Sequence, residues 1–206
     1  MPHELLSRIG ETIRSINTTG GGCIAEAFSI ETEKGSRYFA KRYFGKSGAR
    51  IAKAEVDGLN EIRQSAAIRA PFVLGVSGPS IVMEHISSGK KNGNFWEKFG
   101  RSLAAMHRQT SGEGHGFVTD NYIGSNPQQN LPRSYKWSEF YTGSRLLPQF
   151  SLMSSNGYVD TRISEKFEQL LKRLPELVDD NSVQPSLLHG DLWSGNFLVS
   201  QEGEAV

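Results

Sequence analysis

The sequence holds a single cysteine, Cys23, in 206 residues, so neither an internal disulfide framework nor a cysteine-cluster metal site can be built from it, and a reducing compartment fits. No apolar run approaches the roughly 18 residues that a membrane-spanning helix needs. Met1-Pro2-His3-Glu4 lacks the charge-then-apolar order of a secretory signal. A soluble, cytoplasmic protein without membrane attachment is the expectation. Charge of one sign is also missing. With 23 Lys and Arg against 22 Asp and Glu, the net charge of +1 leaves no basic excess to concentrate on a nucleic-acid-binding face. There is no internal repeat and no low-complexity tract, and neither a G-x-G-x-x-G nor a Walker A pattern occurs. What remains is an ordinary globular composition, 37% hydrophobic and 22% charged, with enough length for one large domain or two small ones around a real core.

Hydrophobic periodicity divides the sequence into a strand-rich part and a helical part. Leu5, Leu6, Ile9 and Ile13 recur at helical spacing and predict a short opening helix. From there to Phe44, β-branched and aromatic residues are interrupted by Thr18-Thr19-Gly20-Gly21-Gly22 and Glu33-Lys34-Gly35-Ser36, two turns that predict antiparallel strands near 13–18, 23–32 and 36–43. Val56, Leu59, Ile62 and Ala66 mark a helix near 50–66, and two short strands follow near 72–76 and 81–85. The aperiodic, polar residues 87–94 read as a linker, which separates an N-terminal lobe of residues 1–86 from a mainly helical lobe of residues 95–206. In that second lobe, Phe95, Phe99, Leu103 and Met106 line one helix. Further helices are expected near 137–147 and 161–174, around a loop at 111–134, with a short strand at 197–199.

Chemistry concentrates in Leu188-His189-Gly190-Asp191-Leu192-Trp193-Ser194-Gly195-Asn196. A carboxylate and an amide five residues apart on one tight loop suit phosphoryl transfer, with Asp191 to take a hydroxyl proton and Asn196 to offer an oxygen to magnesium. The same residues could also merely close local turns. Gly20, Gly21 and Gly22 expose backbone amides that can approach phosphate oxygens, though triple glycine also serves as a flexible turn. Lys41, within Tyr38-Phe39-Ala40-Lys41, is either an exposed strand lysine or, after a glycine loop, a group that grips ATP phosphates. Glu55 on the following helix is placed to pair with it, in preference to Glu61, because Glu55 adjoins the apolar face at Val56 and Leu59. Glu84, His85 and Ile86 leave the fifth strand, where main-chain groups could bond an adenine edge. His107 and His189 lack metal-ligand spacing and are assigned to holding loops. Trp193 is equally an inter-lobe packing element and a platform for the acceptor.

Taken in order, these residues reproduce the layout of the protein-kinase-like fold, and the sequence resembles the fructosamine kinase (ketosamine 3-kinase) family. The resemblance is carried by Gly20-Gly21-Gly22-Cys23-Ile24, Tyr38-Phe39-Ala40-Lys41, Glu55-Val56-Asp57-Gly58-Leu59, Val82-Met83-Glu84-His85, Leu103-Ala104-Ala105-Met106-His107-Arg108, His115-Gly116-Phe117, Asn121-Tyr122-Ile123-Gly124, Phe140-Tyr141 with Arg145-Leu146, and the 187–196 segment. It implies an α+β fold of two lobes, an antiparallel-sheet N-lobe with one main helix and a mainly helical C-lobe. It also implies ATP-dependent phosphorylation of the sugar 3-hydroxyl of ketosamines, free or on glycated proteins. ATP and Mg2+ would be bound, with Asp191 as base, Asn196 as metal ligand, Lys41 and Glu55 on the phosphates, and Glu84, His85 and Ile86 at the adenine. The 3-phosphates of such adducts are unstable and release the amine, which makes the step a deglycation.

Members of this family continue into a returning strand whose Ile-Asp-Pro-like motif supplies a second magnesium ligand. Gly203 resembles the turn before that strand. The C-lobe is therefore expected to be incomplete and the protein truncated at its C-terminal end, with weak or absent catalysis alone and with uncovered apolar surface. Two alternatives stand beside the ketosamine reading. One is a small-molecule kinase of the aminoglycoside or choline type, and the other a non-catalytic nucleotide-binding fragment. Cys23, next to the glycines, is either a buried strand residue or the site of a redox dimer.

Overall fold

Strand periodicity decides the architecture of the first half. The computed structural model describes residues 3–22, 24–110 and 112–206, and Cys23, with both readings of it, a buried strand residue or the site of a redox dimer, lies outside the described residues. Strands β1 (Ile13–Gly21), β2 (Ala25–Thr32), β3 (Arg37–Tyr43), β4 (Val73–Ser77) and β5 (Ser80–Glu84) form one sheet in the order β1-β2-β3-β5-β4, and every neighbouring pair is antiparallel. Side chains alternate between the two faces of a strand. Tyr38 and Ala40 of β3 therefore join Ile30, Val82 and Leu74 beneath the short helix α1 (His3–Ser7), where Leu5 is fully buried. Phe39 and Tyr43 point the other way, with Ala25, Ile81 and Met83, toward helix α2 (Gly48–Gln64). The helix answers with Ile51, Ala52, Val56 and Leu59, a stripe at helical spacing. Each large aliphatic side chain buried in these two clusters contributes about 1.5–3 kcal/mol.

Three sequence-based expectations are corrected here. The opening helix ends at Ser7, because Gly10 takes φ +71 and Ile13 already belongs to β1. Strand β1 runs through Gly20 and Gly21, paired with Ala27 and Glu26, so the turn itself is shorter than the glycine run. Residues 197–199 form no strand, only an isolated bridge from Val199 to Ala205.

The protein divides into two compact units. One comprises Met1–Gln109, Tyr122–Asn126 and Leu187–Val206, the other Thr110–Asn121 and Pro127–Ser186. The first also contains helix α3 (Phe95–His107), where Phe95 and Met106 are buried. Within the expected loop 111–134 two short strands pair, β6 (Asn121–Ile123) and β7 (Asn126–Gln128).

In the second unit the expected 137–147 helix is three pieces: α4 (Trp137–Tyr141), a π-helical turn (Thr142–Leu146) and α5 (Leu147–Ser155). The last helix, α6 (Thr161–Leu177), begins under an Asp160 cap that accepts from the Ile163 amide at 2.7 Å, and Phe167 on it stacks on Phe150 of α5 at 3.9 Å between ring centres. The N-cap residue of α4, Lys136, makes no side-chain capping bond; its ammonium pairs instead with Glu139 at 3.3 Å. Asp180 takes that place, accepting from both the amide (2.8 Å) and the hydroxyl of Ser138. Those two bonds, the hydroxyl's first, hold the Asp180 carboxyl below its ordinary range. No described helix is long and apolar enough to cross a membrane.

Candidate active site

Two geometric clusters in the first unit carry the residues singled out from the sequence. The first follows from the two periodicities just described. Lys41 lies one step from Ala40 on β3 and so projects to the α2 face, opposite Ile81 and Ala27 in register. Glu55 stands four residues after Ile51 and three after Ala52, on the stripe that α2 turns toward the sheet. Lys41 Nζ therefore meets Glu55 Oε1 at 2.6 Å, with the two side chains 34% and 22% exposed. A half-buried, directed ammonium suits phosphate oxygens and keeps a path to solvent. Glu61 takes no part in this pair.

The second cluster is the exposed 188–196 loop. Gly190 turns it at φ +85. The Asp191 amide donates to His189 Nδ1 at 3.3 Å, and the Asn196 amide donates to the Trp193 carbonyl at 2.9 Å. Asn196 Nδ2 donates twice to Asp191, to its carbonyl oxygen at 2.7 Å and to carboxylate Oδ2 at 2.9 Å. That orientation leaves Asp191 Oδ1 open and makes Asn196 Oδ1 the free end of the amide. Trp193 is 60% exposed and its ring lies over Gly195, where a Cβ would come within 2.6 Å of Cζ2 and 2.8 Å of Cζ3. Glycine at 195 is thus needed for the indole to lie there.

Magnesium takes mainly substrate phosphates and water, with one or two protein oxygens. Asn196 Oδ1 fits that role, and among the described residues no group of three or more His, Cys, Asp or Glu is placed to cage a metal ion.

The remaining predicted residues sit at either end of the sheet. Gly22 donates to the Ala25 carbonyl at 3.0 Å, which closes the β1–β2 tip. The Glu84 amide is committed to the Phe72 carbonyl at 2.8 Å, so only its carbonyl and the main chain of His85 and Ile86 remain for a base edge. The Glu84 side chain takes Arg69 and the Phe72 amide (3.2 Å). Arg69 escapes a reading of the sequence, because nothing local marks a lone arginine beyond α2 as the partner of a glutamate 15 residues on. Gln109 escapes it for the same reason. It donates to the Ser65 carbonyl at the end of α2 and accepts from the Leu187 amide at 3.3 Å, just ahead of the 188–196 loop.

A sequence profile of the fructosamine kinase family matches residues 3–206. The chloroplastic protein-ribulosamine 3-kinase of Arabidopsis thaliana is 38% identical over 200 residues, which cover 94% of this protein and 60% of the relative. Its counterpart in Oryza sativa subsp. indica is 36% identical over 200 residues, covering 94% and 57%. The crystal structure of a candidate fructosamine-3-kinase from Thermobifida fusca YX-ER1 superimposes with a TM-score of 0.84 at 29% identity, over 98% of this protein and 70% of that one.

A five-stranded antiparallel sheet with this strand lysine and helix glutamate, followed by helices, is a protein-kinase-like α+β fold. Within that class the protein belongs to the fructosamine kinase family. It spans 57–60% of the length of the plant relatives.

Proposed function

We propose that this protein is an ATP-dependent kinase of ketosamines, the adducts that form when amines are glycated, and that it phosphorylates the 3-hydroxyl of their sugar portion. Family membership supports the substrate class. The observation that carries the mechanism is the double hold of Asn196 on Asp191, at 2.7 and 2.9 Å, because a base must be oriented before the hydroxyl arrives. The acceptor oxygen loses its proton to the open Oδ1 of Asp191 and bonds to the γ-phosphorus, and ADP leaves with the electrons of the broken bond. Lys41, aimed by Glu55, offsets charge on the phosphates, and the β1–β2 tip at Gly20, Gly21 and Gly22, which has no side chains to block a close approach, covers them. The Glu84 carbonyl and the main chain of His85 and Ile86 border the adenine. Asn196 Oδ1 would hold a magnesium ion, which would supply neutralising charge at the phosphate oxygens. Trp193 offers the acceptor a flat apolar surface. The unstable 3-phosphate then releases the free amine, a repair step that suits a reducing, cytoplasmic setting.

The test is transfer of labelled phosphate from ATP to fructose- and ribulose-derived ketosamines, with an aminoglycoside and choline alongside. Transfer to the ketosamines alone is expected, falling by about two to four decades in Asp191→Ala. Near-normal turnover in that variant would refute the role of Asp191. Transfer to the aminoglycoside or choline would select the broader small-molecule kinases, and an ATP-dependent thermal shift without transfer to any acceptor would make the protein a nucleotide-binding module.

A further inference from the structure

Residues 88–92, polar and aperiodic in sequence, are clamped onto the segment that follows Asn196. Beyond Asn196 the backbone folds back on itself: Leu198 and Val206 exchange amide-to-carbonyl bonds at 2.8 and 3.0 Å, the Ser200 amide donates to the Glu204 carbonyl at 2.8 Å, and Gly203 makes the turn at φ +76. Against this hairpin Ser88 forms an antiparallel bridge to Ser200, which is 2% exposed, and the Gly89 amide donates to the Val199 carbonyl at 2.7 Å.

The approach at Gly89 leaves no room for a side chain. A Cβ there would sit 2.7 Å from the Ser200 carbonyl carbon and 2.8 Å from Gln201 Cα, with the Ser200 oxygen nearer still. These are backbone atoms, which cannot swing aside as a side chain could. Three further contacts tie the same hairpin to its surroundings, one of them through Lys91. The Phe197 ring packs 5.0 Å from Phe99 and 6.1 Å from Phe95, the Lys91 ammonium sits 4.2 Å from the Trp96 ring centre and 5.6 Å from that of Phe197, and Arg69 reaches both Glu84 and, at 3.8 Å, Glu202.

Gly89 stands five residues after Glu84, and Val199 three after Asn196. Such spans of backbone reach at most about 18 and 11 Å, so a shift at the bridge is passed on with little slack. We infer that Gly89 is a positioning residue: its close approach to Ser200 sets where the 191–196 loop stands relative to the backbone leaving β5. The consequence for turnover rests on the kinase reading above, whereas the mechanical coupling does not.

The experiment compares Gly89→Ala with Gly93→Ala, whose Cβ would meet open space. Amide hydrogen exchange is followed at Ser200, at Val206 and at Asn196, whose amide is held by the Trp193 carbonyl. Gly89→Ala should speed exchange at all three by about tenfold or more, while Gly93→Ala leaves them unchanged. In the transfer assay, kcat should fall about tenfold in Gly89→Ala with the acceptor KM unchanged, as for a displaced base rather than a lost binding contact. Faster exchange at Ser200 and Val206 with an unaltered Asn196 amide would overturn the inference, since the clamp would then end at the hairpin. So would an unaltered kcat. Should Gly89→Ala fail to fold, Lys91→Met, which keeps an apolar stem and loses the ammonium, is read in the same way with an expected effect of about threefold. If the wild-type protein transfers no phosphate, the kinase reading fails while the exchange result still decides the coupling.

Discussion

Asn196 bonds Asp191 through Nδ2 alone, at both the carbonyl and the carboxylate, so that each residue keeps one side-chain oxygen unshared. Replacing the amide by a second carboxylate reverses the sign of this contact. In Asn196→Asp the donor is lost and two like charges share the loop, so the carboxylates turn away from each other and Asp191 loses its orientation. kcat for ketosamine phosphorylation should therefore fall by about tenfold or more in Asn196→Asp, and further than in Asn196→Ala, where no second charge is added. An Asn196→Asp variant with wild-type kcat would show that Asn196 does not orient the base.

The Lys41–Glu55 pair separates a structural contribution from a binding one. Partly exposed ion pairs of this kind stabilise a fold by about 1 kcal/mol or less. Lys41→Met should therefore leave the urea midpoint nearly unchanged, while on the proposed role of Lys41 at the phosphates it should weaken ATP binding by about tenfold or more. Calorimetric titration of ATP against Lys41→Met, Glu55→Gln and the double variant checks this, with strong coupling between the two positions expected.

His115 makes the second unit sensitive to acid. Its ring is 4% exposed against Trp137 and Phe140, and its Nε2 finds no hydrogen-bond partner among the described residues. Burial lowers its pKa from 6.5, partly offset by the charge of Asp180. Below pH 6.5 the unfolded protein takes up a proton that the folded one refuses. The stability due to the neutral ring is thus complete above that pH and is lost as the pH falls toward the lowered value, with a slope of up to about 1.4 kcal/mol per unit. His115→Phe should flatten denaturant-derived stability in the range just below pH 6.5. A slope persisting in that window would point to another group.

Ala66 carries φ +53 just after the C-terminus of α2, with its amide donating to the Arg63 carbonyl at 3.0 Å. This is the position where helices place glycine. Relief of the left-handed strain, less the extra freedom glycine has when unfolded, should make Ala66→Gly more stable by roughly 0.5–1 kcal/mol. Urea titration gives the answer directly, and a destabilised variant would mean that the methyl group packs better than its backbone suggests.

Much of the site was legible because its geometry is local. The alternation along Tyr38-Phe39-Ala40-Lys41 and the apolar stripe around Glu55 are each set within a few residues, and together they bring lysine and glutamate into contact. The 188–196 loop closes on itself in the same way. What could not be read depends on partners distant in the sequence. Arg69 meets Glu84 and Glu202, and Gly89 meets Ser200, through contacts that leave no periodic mark on either segment. The π-helical turn at Thr142–Leu146 adds one residue to a helical cycle, which a 3.6-residue pattern does not register, and α5 carries its apolar residues on no single side.

The carboxylate of Asp180 caps helix α4 at Ser138, 42 residues earlier in the sequence. Helix α4 thus draws its first-turn partner from the backbone that leaves α6 and not from its own N-cap residue. Loss of that carboxylate is expected to cost the helix about 1 kcal/mol, and a cleavage in the exposed turn at Gly157 would put Ser138 and Asp180 on separate pieces.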